Sequence, residues 1–245
     1  MINAMIFAAG LGTRLKHYTT NCPKALVELD GKPLLEHCIQ KLKNIGVDRI
    51  VINVHHFADQ IEDFLRSKDN FGLDIRISDE RELLLDTGGA IKNAIPHFIP
   101  NAPILIYNVD ILSSLNLEDL LEAHKNSQAL ATLNLRDKNT NRYLCFNKEG
   151  LLCAWRNDAT KEVKIVNESH LNSSPYSFSG IHIIDSKLLG LIEEDGVFSI
   201  IDLYLRLAKN HRIVGHYDSS DVWMDLGKPE ELLKAEKLIK SNLYQ

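Results

Sequence analysis

Residues 5–16 read MIFAAGLGTRLK, an apolar run from Met5 to Ala9 that ends in a glycine-rich, cationic loop. A short apolar run without alternation is the pattern of a strand buried on both faces, as in a parallel sheet. The residues that follow keep the same rhythm. In PLLEHCIQKLKNIG (33–46), Leu34, Leu35, Cys38, Ile39, Leu42 and Ile45 recur at helical spacing, with proline at the start and glycine at the stop. Strand patterns at 49–54 and 73–77 enclose a helix at 58–66. A helix from about Thr87, a strand at 104–109, a helix at 117–124 and a strand at 130–135 continue the alternation. Such an order predicts an α/β sheet, mostly parallel and covered by helices, with right-handed crossovers. Over 137–175 the texture changes to Asn, Lys and Ser clusters around two β-like runs, 143–146 and 151–155, which reads as a β-rich insertion. The run 178–184 returns to the sheet and a helix over 229–241 closes the chain. Without a repeat or linker, one domain over 1–245 is expected, changing character near residue 136.

Composition removes several classes of function. The chain has 245 residues, 28 Lys+Arg against 33 Asp+Glu for a net charge of −5, and 44% hydrophobic residues. Mild acidity argues against a nucleic-acid partner, although a local basic pocket can still hold phosphates. Four cysteines, Cys22, Cys38, Cys145 and Cys153, form no C-x-x-C pair, so neither a zinc ribbon nor a disulfide framework is expected. No apolar stretch is long enough to cross a bilayer and no basic lead-in opens the chain, so a cytoplasmic protein without membrane contact is expected. Oligomeric state is unreadable.

The loop Gly10-Leu11-Gly12-Thr13-Arg14 fits neither common nucleotide motif. A dinucleotide fingerprint needs a small residue where Leu15 stands, and a P-loop needs Gly-Lys-Ser/Thr where Leu15-Lys16-His17 stands. A nicotinamide oxidoreductase and a P-loop ATPase are thereby disfavoured. Glycines nevertheless let backbone N–H groups approach phosphate oxygens, Thr13 adds a hydroxyl and Arg14 a bidentate cation. Lys24 follows, fixed behind Pro23 after a segment without apolar periodicity. Two cations on one loop behind one strand suit a polyphosphate; taken singly, each also fits an ordinary surface turn. Asp110, after the strand ILIYNV, stands where open α/β sheets bind ligands. Asp225 stands in Trp-x-Asp-x-Gly. Either aspartate alone also fits a helix N-cap.

These motifs together resemble the sugar-1-phosphate nucleotidylyltransferases: AAGLGTRL, PKALVELDGKPLLEH, Asp86-Thr87-Gly88-Gly89-Ala90-Ile91, Asn108-Val109-Asp110, Phe178-Ser179-Gly180-Ile181 and Trp223-Met224-Asp225-Leu226-Gly227, in that order across the chain. Within that family the chain is most similar to the N-acetylmuramate-1-phosphate uridylyltransferases and the small mannose- or heptose-1-phosphate guanylyltransferases. The resemblance implies a Rossmann-like mixed, mostly parallel sheet, with a nucleotide-binding half (1–136) and a sugar-binding half (137–245). It implies transfer of a nucleotidyl group from a nucleoside triphosphate to a sugar 1-phosphate, with Mg2+ held by Asp110 and Asp225 and the phosphates handled by Arg14 and Lys24. The nucleotide is expected along Ala8, Ala9, Gly10, Gly12, Thr13, Gly88, Gly89 and Asn108, and the sugar near Gly180 and Glu168.

UTP with N-acetylmuramate 1-phosphate is the first expectation for the substrate pair, and GTP with mannose or heptose 1-phosphate the alternative. The chain departs from the family pattern in two places. Val109 replaces a glycine before Asp110, but along a strand it points away from the aspartate. The Val-Glu-Lys-Pro sugar segment of larger relatives is missing, and Asn167-Glu168 is its nearest approximation. A muramic-acid carboxylate would want a cation, which Arg142, Arg156 or Lys164 could supply. His55-His56 lacks partners at metal-ligand spacing. A non-catalytic homologue would have shed Arg14, Lys24, Asp110 or Asp225; all four are present. A cell-envelope role and a single activity are expected.

Overall fold

The computed structural model describes residues 1–241. Its first half runs β1 (Asn3–Phe7), a short hairpin of β2 (Glu28–Leu29) and β3 (Lys32–Pro33), α1 (Leu34–Asn44), β4 (Arg49–Val54), α2 (Ala58–Ser67), β5 (Asp74–Asp79), α3 (Asp86–Ala94), β6 (Ile104–Asn108), β7 (Ile111–Ser113) and α4 (Leu117–Ser127). Strands β6, β1, β4 and β5 lie side by side and parallel, as the apolar runs predict. Because side chains alternate along β1, Ala4 and Ile6 enter one core cluster while Met5 enters the other. Helix α1 buries Leu34, Leu35, Cys38, Ile39 and Leu42 against the first cluster, and Gly46 ends the turn beyond it with φ 70°. Each fully buried leucine of that stripe contributes about 1.5–3 kcal/mol.

The second half adds β8 (Ala131–Arg136), β9 (Arg142–Phe146), β10 (Leu152–Asn157), β11 (Glu162–Ile165), β12 (Ser174–Ile184), α5 (Ile200–Leu207), β13 (Ile213–Tyr217), β14 (Trp223–Asp225) and α6 (Pro229–Lys240). The long strand β12 is antiparallel to β6, β8 and β9, which makes the sheet mixed. The β-rich insertion is therefore a continuation of the main sheet through β9, β10 and β11. Three details differ from the sequence reading. Strand β1 ends at Phe7, which leaves Ala8 and Ala9 in the loop. Strand β12 starts at Ser174, four residues early. Strand β11 was not expected; it is short and all four of its residues are exposed, with Val163 and Ile165 on one face. Among the described residues no helix is long and apolar enough to cross a membrane.

Alternation along β12 sends Ile181 and Ile183 into the first cluster and turns His182 to the opposite face. There its ring stands 5.2 Å from that of Phe178 and 5.7 Å from that of Tyr204. Neither ring nitrogen has a hydrogen-bond partner among the described residues. Burial pushes the pKa of His182 down to about 3. The folded protein thus resists a proton that the unfolded chain accepts near pH 6.5, so this stability is complete above pH 6.5 and is lost as pH falls toward 3. Urea melts of wild type and His182→Leu should show the difference in unfolding free energy moving in favour of the variant by about 2 kcal/mol between pH 7.5 and pH 5; a difference independent of pH would refute the assignment.

Candidate active site

Beyond β6 the chain buries Val109 in the core and turns Asp110 toward the carboxyl edge of the sheet. Strand β7 then pairs antiparallel with β14, setting Asp225 opposite Ile111, and the Leu226 N–H donates to the Asp110 carbonyl at 2.8 Å. Two aspartates far apart in sequence are thus held on one small ribbon. Lys24 Nζ lies 2.6 Å from Asp110 Oδ2, and Arg14 reaches both acids, with Nη1 3.3 Å from Asp225 Oδ2 and Nη2 4.0 Å from Asp110 Oδ2. The two contacts differ in weight. The Lys24 and Asp110 side chains are only 14% and 9% exposed, so removing either leaves an enclosed charge, a loss of about 3–5 kcal/mol. Arg14 is 54% exposed, and its ion pair with Asp225 contributes about 0–1 kcal/mol. Burial acts to raise the pKa of Asp225, but the Gly227 N–H and the Arg14 and Lys24 cations outweigh it, and the carboxyl stays below the usual range.

Glycine leaves room beside this pair. The Gly227 N–H donates to Asp225 Oδ1 at 2.9 Å, and a Cβ there would stand 2.5 Å from Arg14 Nη2 and 2.8 Å from Asp225 Oδ1. Gly12 plays the same part in the cationic loop: its φ is 66°, and a Cβ would stand 3.0 Å from Lys24 Cβ and 2.9 Å from Thr19 Cγ2. Two carboxylates converging on shared cations form a hard oxygen donor set that suits Mg2+, whose other positions go to water and phosphate.

Three of these charges, Arg14, Lys24 and Asp110, stand at one end of a cleft of about 520 Å3, and Asp225 adjoins it through its ion pair with Arg14. Of the expected residues, Ala9, Gly10, Arg14, Lys24, Asn108 and Asp110 line it. Others stand elsewhere for identifiable reasons. The Ala8 N–H is committed to Asn53 Oδ1 at 2.8 Å, and Thr13 is exposed on the outside of the loop. Gly88 and Gly89 donate their N–H groups to the Phe198 carbonyl, at 2.9 and 3.3 Å, rather than offering them to a ligand. A Cβ on Gly88 would enter the Phe198 ring, and one on Gly89 would meet the Gly196 carbonyl. These two glycines admit a protein segment. Gly180 sits in a bulge of β12 with φ 82°, and a Cβ there would be 2.7 Å from Asn108 Nδ2, so the space it leaves is filled by Asn108. Glu168 opens an exposed turn packed on β10, away from the cleft lining. Arg156 is paired with Asp158 and Lys164 with Asp202, and Arg142 is exposed at the start of β9.

The far end of the cleft was anticipated from the sequence only in its Asp86–Thr87 segment. Beside these it is lined by Asn53, Glu80, Leu84 and Val197. Glu80 is buried, with Oε1 accepting from Asn53 Nδ2 at 2.8 Å and Oε2 from the Leu85 N–H at 3.1 Å; burial raises its pKa despite both bonds. Through Asn53 this chain of bonds continues to Ala8, tying together the carboxyl ends of β1, β4 and β5. The available signal was the position of Asn53 and Glu80 at two strand ends, on the edge where such sheets bind ligands. His55 Nδ1 is 2.7 Å from the Glu80 carbonyl oxygen, a loop-fastening role.

With this geometry in view, comparison with known proteins adds family. A sequence profile described as Nucleotidyl transferase matches residues 3–242. The N-acetylmuramate alpha-1-phosphate uridylyltransferase of Caulobacter vibrioides is 34% identical over 241 residues, covering 95% of each chain. A mannose-1-phosphate guanyltransferase of Gibberella zeae is 28% identical over 246 residues, which cover 99% of this chain and 65% of that protein. Among solved structures, the inositol-1-phosphate CTP transferase from T. maritima superposes with a TM-score of 0.77 at 15% identity, over 97% of this chain and 94% of that one, a likeness of fold.

The glycines that admit the 196–198 segment should be sensitive to a single methyl group. Gly88→Ala is expected to lower the unfolding free energy by about 1–3 kcal/mol in urea melts. Gly190→Ala, where nothing lies within 4 Å of the added carbon, should change it far less.

Proposed function

The chain belongs to the nucleotidyl transferase family, and on that premise we propose that it joins a nucleoside triphosphate to a sugar 1-phosphate, giving a nucleotide-diphospho-sugar and pyrophosphate. The observation that carries this reading is the convergence of Arg14, Lys24, Asp110 and Asp225 in one linked set of ion pairs, three of whose members line a single cleft. The attacking sugar phosphate has a second pKa near 6, so it is ionised at neutral pH and needs no general base. Bringing two anions together is the difficulty, and fixed cations relieve it most effectively where water is excluded. Lys24, enclosed and beside Gly10, holds the α-phosphate against the incoming phosphate. Arg14, open to solvent, holds the departing phosphates. With phosphate oxygens as partners for both cations, Asp110 and Asp225 would hold Mg2+, which would supply charge neutralisation and orientation to the reacting phosphates.

For the substrate pair we favour UTP with N-acetylmuramate 1-phosphate, supported by the uridylyltransferase relative at 34% identity. GTP with mannose 1-phosphate is the second reading, supported by the guanyltransferase relative at 28%. The base would lie at the far end, among Glu80, Leu84 and Val197. A muramic-acid product would serve cell-envelope synthesis in the cytoplasm.

Release of pyrophosphate, measured with Mg2+ over a panel of triphosphates and sugar 1-phosphates, tests the class; no release with any pair would refute it. Asp225→Asn should lower turnover at least about a hundredfold with an unchanged circular dichroism spectrum. Asp110→Asn should lose turnover similarly and also lose stability, since Lys24 is left without its enclosed partner.

A further inference from the structure

The cleft leaves one end of the proposed reaction undescribed. On the reading above the sugar lies beside the reacting phosphate, near the two aspartates, one of which is carried by β14. Side chains two apart share a strand face, so Trp223 projects on the same side of the ribbon as Asp225. Its indole is fastened, with Nε1–H donating to the Ser179 carbonyl at 2.9 Å, beside the bulge where Gly180 meets Asn108. Asn108 itself lines the cleft. Over this ring stands the ammonium of Lys138, 4.3 Å from the centroid. Cation–π contact positions the charge without neutralising it.

Lys138 is exposed and has no carboxylate partner among the described residues. The cations named from the sequence for an acidic sugar are placed differently. Arg156 is paired with Asp158, Lys164 lies 2.6 Å from Asp202, and both side chains belong to the outer strands of the insertion. Lys138 comes instead from the segment joining β8 to β9 and reaches back over the ribbon that carries Asp225.

We propose that Lys138, poised on Trp223, is the specificity-determining residue that binds a carboxylate substituent of the sugar 1-phosphate. The inference rests on the nucleotidylyl-transfer reading above and deepens it by naming an acidic sugar as the preferred acceptor. Its ammonium offers three donors, and Trp223 holds it on the acceptor side of the metal-binding pair.

The test compares N-acetylmuramate 1-phosphate with N-acetylglucosamine 1-phosphate, which lacks only the lactyl ether, each with UTP and with GTP. The quantity read is the ratio of kcat/KM between the two sugars. Wild type should favour the acidic sugar, and Lys138→Met should reduce the ratio by about tenfold to a hundredfold, through KM for the sugar, as expected for loss of a charge-assisted bond. Lys138→Arg should retain most of the preference and Lys138→Glu should reduce it further. An unchanged ratio in Lys138→Met, or collapse of the ratio in Arg142→Met instead, would overturn the assignment. So would a wild-type enzyme that takes the neutral sugar at least as well, a result that leaves nucleotidylyl transfer standing. Absence of pyrophosphate with every pair would defeat that broader reading, and this one with it.

Discussion

The site depends on an ion pair between two enclosed groups. A carboxylate as sheltered as that of Asp110 needs a counter-charge, and the Lys24 ammonium at 2.6 Å supplies it. Much of the surrounding architecture serves that contact. Gly12 adopts a left-handed backbone so that the loop can pass the lysine stem, and Val109 anchors the turn that presents the aspartate. The β7–β14 pairing then brings a second carboxylate alongside, and Gly227 leaves room for the arginine that spans both. Charges of both signs thus neutralise one another in one linked set of ion pairs.

The parallel core was legible because its strands are apolar throughout and its helices carry apolar stripes. The 33–46 segment, for example, contains its own start, face and stop. The four charged residues that meet at the sheet edge were singled out because they stand in motifs with a fixed order along the chain. What escaped depends on contacts between distant segments. Strand β11 shows its alternation, Val163 and Ile165, over only four exposed residues, and its pairing with β10 makes it a strand. Nothing in the local sequence of Glu80 says that it is buried and fastened to Asn53. The direction of β12 is likewise a property of its neighbours, β6 and β8.

Gly88, Gly89 and Gly180 mark the limit of motif reading. Glycine next to a binding cleft suggests room for a ligand, and each of these does sit near one. The atoms occupying that room belong to Phe198, Gly196 and Asn108. The glycines thus shape the cleft at one remove, letting the 196–198 segment bring Val197 to the rim and letting Asn108 lie flat beside the aspartates. A motif identifies where space is needed, while only the fold identifies the tenant.

Strand β12 bonds to β6 through Ile181–Ile184 and to β9 through Ser174–Tyr176. Any relative motion of the insertion and the parallel core would therefore bend this one strand at the bulge between Phe178 and His182, rather than swing on a linker.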